Sequence, residues 1–270
     1  MKKFYAGCIL MAIVMGLAVL APAISPADPY AINMDEKLEE STWQHPMGTD
    51  QLGRDLLTRV LYAARTSFGA TFAVMVVCLV LGTLVGCVAG FFGGWVDQVL
   101  MRFVDILMAF PSFLLPIAMA GLLGGSMTNL ILALSLTSWT GYARMVRGSV
   151  LSIKQQLYVE VAVVMGSRRL TTIKNHVIPN AIHPLMVYAA MHSGHTLLAI
   201  SGLSFMGLGA QPPTPEWGAM LNEAMTFMGH QPNLFVFPGA AIMVTVLSFN
   251  LLGEGLQDLM DPKQHKEVKV

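Results

Sequence analysis

Six apolar runs, each close to twenty residues, constrain this chain more than any other feature. They lie at about Phe4–Leu20, Phe68–Phe91, Phe103–Leu123, Asn129–Met145, His183–Met206 and Leu234–Leu252. A helix rises about 1.5 Å per residue, so runs of this length match the roughly 30 Å hydrocarbon core of a bilayer. In that solvent every backbone N–H and C=O must find its partner within the protein, which leaves the helix as the form for such a run. Composition agrees. Only 12% of the 270 residues are charged, against roughly 25% in soluble domains, and the mean hydropathy is +0.61. The expected fold is an all-α polytopic membrane protein with six transmembrane helices.

The connecting stretches divide the chain into residues 1–67, a core of 68–256 with a long loop at 147–182, and a tail of 257–270. After Lys2 and Lys3, the first run ends at Ala21-Pro22-Ala23, which has the small residues of a signal-peptide cleavage site. Pro22 inside that site and the later spans favour an uncleaved helix. Between Ser25 and Thr66 the chain is polar. There Leu52, Leu56, Val60 and Ala63 or Ala64 recur at helical spacing, with Arg54, Asp55 and Arg59 on other faces. The pattern predicts an amphipathic helix on the membrane surface or against the bundle. Gly82, Gly86 and Gly90 form a small-residue seam for close helix approach. Pro111 and Pro116 are expected to bend the third span.

Lys and Arg set the orientation. With the N-terminus inside, Lys2, Lys3, Arg102, Arg144, Arg147, Lys154, Arg168, Arg169, Lys174, Lys263, Lys266 and Lys269 are internal, and only Lys37, Arg54, Arg59 and Arg65 are external. Both termini are therefore expected in the cytoplasm. A net charge of zero offers no hint of nucleic-acid binding. Cys8, Cys78 and Cys87 all sit in apolar runs and read as packing residues, not a disulfide framework.

No Gly-Lys dipeptide occurs, so a P-loop is excluded, and the common hydrolase signatures are missing. Carboxylates at membrane depth are scarce, and Asp105 and Glu254 read as helix anchors. A chain with neither ATP chemistry nor an obvious ion-coupled carboxylate needs an external motor or is a passive channel.

The polar stretch Leu157–Asn180 bears on that choice. Glu160-Val161-Ala162, then Gly166, then Pro179 fit the pattern E-A-A-x3-G-x9-I-x-L-P, with Val161 at the second position, His176 for Ile and Ile178 for Leu. This resembles the coupling loop of permease subunits of bacterial ABC importers. The resemblance implies an ATPase-coupling role for Glu160, Val161, Ala162, Gly166, Ser167, Arg168, Arg169 and Pro179. A first short helix would end at Gly166, where the lack of a Cβ permits a sharp turn. A second, from about Arg168 to His176, would stop before Pro179. Arg168 and Arg169 read equally well as inside anchors.

Further stretches narrow the resemblance: PMGTDQLGRDLLTRVLYAARTS (Pro46–Ser67), GGWVDQVLMRFVDILMAFP (Gly93–Pro111), LSFMGLGAQPPTPEWGAML (Leu203–Leu221) and LLGEGLQDLMDP (Leu251–Pro262). They look like the C-type permease of dipeptide, oligopeptide and nickel importers. That family implies a B-type permease as heterodimer partner, two nucleotide-binding ATPase subunits and an extracytoplasmic solute-binding protein, all at a bacterial inner membrane. It also implies a non-enzymatic chain that binds no cofactor itself, with ATP and Mg used by the ATPases.

The fifth run carries His183, Met186, Met191, His192 and His195. His192 and His195, three apart, share a helix face, and imidazole suits Ni(II). Tyr142–Arg147 and Gly194-His195 also look more like nickel-type than peptide-type subunits. Met191, His192 and His195 are therefore candidate path residues, with His192 and His195 as candidate metal contacts. The expected substrate is nickel, free or chelated, ahead of short peptides. Imidazoles bonded between helices and methionine as flexible filler remain the plainer readings. A channel or secondary carrier, and a membrane enzyme, stay as rival classes.

Overall fold

The computed structural model describes residues 2–25, 27–165, 171, 175 and 178–260. Its helices are α1 (Lys2–Val19), α2 (Ala21–Ile24), α3 (Leu56–Phe92), α4 (Gly94–Met108), α5 (Leu114–Leu123), α6 (Met127–Lys154), α7 (Leu157–Val164), α8 (Ile178–Phe205), α9 (Trp217–Ala224) and α10 (Asn233–Met260). No strand occurs among the described residues. Three of these helices, α1, α3 and α10, are both long and apolar enough to cross a membrane. At 28 residues each, α6 and α8 have the length, about 42 Å, but carry more polar side chains.

Two expectations need correcting. Of the two placements expected for the amphipathic segment, it takes the one against the bundle, where Leu56, Val60, Ala63 and Ala64 pack with Leu197 and Trp217, but it is not a separate helix. It forms the first turns of the 37-residue α3, which runs straight on into the second apolar run. Asp55 starts this helix as its N-cap, accepting from the Thr58 backbone N–H at 2.7 Å. The third apolar run, in turn, is not one bent helix: α4 stops at Met108 and α5 begins at Leu114. Pro111 lies in the gap, where it has no N–H to give and pushes Phe110 away from the helical region. Pro116 falls in the first turn of α5, where its missing N–H costs nothing.

The glycine seam behaves as expected. Gly82, Gly86 and Gly90 face α6 so closely that a Cβ on Gly86 would lie 2.5 Å from the Ala143 carbonyl oxygen and one on Gly90 2.9 Å from Val150 Cβ. The same device recurs where α1 meets α10: a Cβ on Gly7 would meet the Leu252 nitrogen at 2.6 Å, and one on Gly255 the Phe4 backbone at 2.5 Å. Where lipid removes the hydrophobic drive, such close backbone contact supplies the dispersion energy that joins helices.

The bundle has two distinct ends. At one, Lys154 donates to the Phe91 carbonyl at 2.9 Å, Lys3 pairs with Glu254 at 2.8 Å, and α7 follows α6 after a two-residue break. Arg147 there donates to both oxygens of Asp97 at 2.5 and 2.6 Å, which holds that carboxyl below its usual range. At the other end, the segment before α3 and the segment between α8 and α10 fold together as a cap. Gln231 donates to the Leu38 carbonyl at 3.0 Å, and Trp217 Nε1 to the Val60 carbonyl at 3.0 Å.

Candidate functional site

The cap is fastened by charges that no surface helix would bury. Arg54 and Arg59 are almost fully buried. Arg54 reaches Asp50 at 2.6 Å and Glu223 at 2.9 Å, and Arg59 reaches the same two carboxylates at 3.3 and 3.2 Å. Two cations and two carboxylates thus satisfy one another, the condition under which charge survives burial. Glu216, wholly buried, caps α9 by accepting from the Ala219 N–H at 2.9 Å and from Ser67 Oγ at 3.1 Å. Burial pushes its carboxyl above the usual range, opposed by those hydrogen bonds. The sequence pattern alone reads Arg54 and Arg59 as external charges on the polar side of an amphipathic helix. The signal that would have found them is the pairing of Asp50-x3-Arg54-x4-Arg59 with a distant Glu223.

At the opposite end lies the segment that resembles a coupling loop. Gly166, Ser167, Arg168 and Arg169 fall outside the described residues, as do Lys174 and His176. What is described is α7, which carries Glu160, Val161 and Ala162 on one short helix, and Pro179, which sits in the first turn of α8. Leu157, Val161 and Met165 are 74%, 46% and 82% exposed. Spaced at i, i+4 and i+8, they share one face. Sequence reading had singled out only Val161 of the three.

Between the ends, the gap in the third run opens the bundle. Residues of the α4–α5 gap face α6 and α8 across two adjoining depressions of about 240 and 400 Å³, which share Ser112, Ser138 and His192. The Tyr188 ring stacks on the His192 ring at 5.3 Å and 12°, while Tyr142 meets the same imidazole edge-on at 5.5 Å and 88°. His195, exposed, lies 6.0 Å from His192 between ring centroids and lines the larger depression with Thr196. The Tyr142 hydroxyl, deep in the bundle, has no hydrogen-bond partner. So the structure brings His192 and His195 together. Met191 does not join them: it packs against Gly253 of α10 and lines neither depression. The gap itself was hidden from a hydropathy reading, since Phe110 to Leu115 is apolar apart from Ser112.

Two imidazoles do not make a resident metal site. Among the described residues no group of three or more His, Cys, Asp or Glu side chains is placed to hold an ion.

The family described as the inner membrane component of binding-protein-dependent transport systems matches residues 82–266. The chain belongs to this family. It is 40% identical over 252 residues to a glutathione transport system permease protein of Pectobacterium atrosepticum, covering 93% of this chain and 84% of that one. It is 37% identical over 262 residues to a dipeptide transport system permease protein of Alkalihalophilus pseudofirmus, covering 97% and 86%. It is also 39% identical over 254 residues to a nickel transport system permease protein of Escherichia coli, covering 94% and 92%. The chain is thus a non-catalytic inner-membrane permease component of a binding-protein-dependent ABC importer. Its relatives carry three different substrate names at nearly equal identity, so likeness alone singles out none.

Proposed function

We propose that this permease component forms one half of a translocation pathway for nickel, free or chelated, and that the His192–His195 depression lies on that pathway. The observation that supports it is the opening of the third run beside two clustered imidazoles, lined by Ser112 and Ser138 rather than by carboxylates. Imidazole is a good ligand for Ni(II), and only two of them leave most of the coordination sphere to water or to a chelator. An ion held by so few groups is released as readily as it is received.

The other half is a B-type permease, and two ATPase subunits drive the pair. They grip α7 and the loop after it, where the exposed Leu157–Val161–Met165 face gives an apolar contact for a soluble partner. The α7 end is cytoplasmic in this arrangement, with both termini, six spans in all, and the cap outside. ATP binding closes the ATPases, draws the two coupling helices together and opens the path outward. Hydrolysis resets it.

A second reading has specific support. The larger depression, about 400 Å³, is walled by Phe113, Leu134 and Leu198 as well as by hydroxyls, which suits a dipeptide or a small thiol peptide. One experiment separates the two. Cells dependent on this importer are given radioactive nickel, with and without histidine as chelator, and in parallel a radioactive dipeptide and glutathione. We expect nickel uptake in the wild type, and its loss in the His192→Ala/His195→Ala double variant with subunit assembly and ATP hydrolysis intact. Peptide uptake without nickel uptake replaces this reading with the second. Unchanged nickel uptake in the double variant removes the two histidines from the path. Leu157→Glu with Met165→Glu tests the grip: the ATPases are expected to dissociate on purification while the permease stays in the membrane.

A further inference from the structure

Several large apolar side chains of the cap are exposed, Tyr30, Ile32, Met34, Met225 and Met228 among them, and Trp43 is the most exposed of all. Trp43 is fully exposed, although it does not stand on a loose loop. It is the second residue of a turn closed from both sides: the Thr42 N–H donates to the His45 carbonyl at 2.9 Å, and the His45 N–H to Thr42 Oγ1 at 3.0 Å. His45 is then pinned by Asp55 at 2.9 Å and Glu36 at 3.3 Å. Asp55 is itself the N-cap of α3, so the turn is tied to the start of a membrane-length helix. An indole in water on a fastened turn has its ordering cost already met, the condition that makes an aromatic residue an effective binding anchor.

Its surroundings select the occupant. Asp35, Glu39 and Glu40 are exposed in the same segment with Lys37 as the single exposed base between them. An acidic rim repels the anionic headgroups that attract basic interfacial segments, and it attracts a basic protein surface. The cap also lies at the end of the bundle opposite α7. We propose that Trp43 is the docking anchor for the extracytoplasmic binding protein, whose facing surface presents an apolar notch bordered by lysine or arginine. This rests on the orientation proposed above and on the family's dependence on a binding protein.

The test uses the whole importer in nanodiscs and its cognate, substrate-loaded binding protein, with association followed by interferometry and ATP hydrolysis measured alongside. Trp43→Ala is expected to weaken binding about thirtyfold, the loss typical of truncating a central tryptophan anchor, with unchanged basal ATP hydrolysis and subunit content. Trp43→Phe keeps a ring and is expected to retain most of the affinity. Glu39→Lys with Glu40→Lys is expected to slow association and flatten its salt dependence. Wild-type affinity in Trp43→Ala overturns the anchor while leaving the importer arrangement standing. A drop in membrane retention or in partner permease, with binding per complex unchanged, assigns Trp43 to lipid or to the neighbouring subunit and also overturns it. Failure of the wild-type complex to bind the protein at all brings down the parent reading instead.

Discussion

The glycine seam between α3 and α6 makes a graded prediction. On Gly86, an added Cβ would stand 2.5 Å from the Ala143 carbonyl oxygen, 2.8 Å from Val146 Cβ and 3.0 Å from the Arg147 nitrogen. Two of those neighbours are backbone atoms of a packed helix and the third is a branched carbon at its root, so none can swing aside. Relief requires the helices to move apart, and overpacking of this kind costs about 1–3 kcal/mol. Alanine also gains about 1 kcal/mol in helix propensity over glycine. The net expectation for Gly86→Ala is therefore a loss of about 0–2 kcal/mol. For a chain of this size that lowers the melting temperature by up to about 8 °C. Gly90→Ala is expected to cost less, since its nearest contacts are the Val150 side chain at 2.9 Å and the Arg147 carbonyl at 3.1 Å. Gly148→Ala on the facing helix meets nothing within 4 Å and is expected to melt at or slightly above the wild-type temperature. A thiol-reactive fluorophore in detergent reads the transition, because Cys78 and Cys87 are both buried until the seam opens. If Gly86→Ala melts with or above Gly148→Ala, close approach at the seam is not what joins these helices.

The ion cluster of the cap predicts that Asp50→Asn, which leaves two buried guanidinium groups with one carboxylate, costs about 3–5 kcal/mol and exposes the segment before α3 to protease. Protease resistance equal to wild type would show that Glu223 alone balances Arg54 and Arg59. His45 makes the cap sensitive to pH. Its hydrogen bond to Asp55 and the nearby Glu36 raise its pKa above the ordinary 6.5 despite partial burial. A raised folded pKa means that this stabilisation is complete below about 6.5 and is lost as pH rises through the raised value. The Trp43 contribution to tryptophan anisotropy, isolated from Trp95, Trp139 and Trp217 by subtracting the Trp43→Phe signal, is therefore expected to fall as the pH is raised from 6 towards 9, and not in His45→Asn; a flat profile in the wild type would sink the idea.

The outline of the bundle was legible because lipid imposes a simple rule on long apolar runs, and the seam was legible because three glycines recur every fourth residue. The break at Pro111 was not. Hydropathy averages over a window, so Phe110-Pro111-Ser112-Phe113 reads as one more apolar stretch, although the proline disrupts the helical ladder within it. The buried arginines were missed for a related reason. Arg54 and Arg59 look like the polar face of an amphipathic helix, and only a carboxylate 164 residues downstream of Arg59 turns them inward. Local pattern cannot register a partner at that distance.

The same limit explains why the family was readable and the substrate was not. Family membership is spread over most of the chain: the family matches residues 82–266. A substrate on a pathway meets a few side chains weakly and leaves, so little of the chain is committed to it. On the pathway proposed above, that commitment would amount to two imidazoles, two serines and two tyrosine rings around a gap. Relatives named for nickel, a dipeptide and glutathione at 37–40% identity are what such a division of labour produces. In the importer proposed above, tight selection would then belong to the soluble binding protein, which can hold its ligand at equilibrium because it does not also have to let it through. The permease is left with a task of recognition of a different kind: knowing that the binding protein has arrived. That task needs a fixed feature on rigid support at the end away from α7, and the turn bearing Trp43, tied through His45 to Asp55, meets that description.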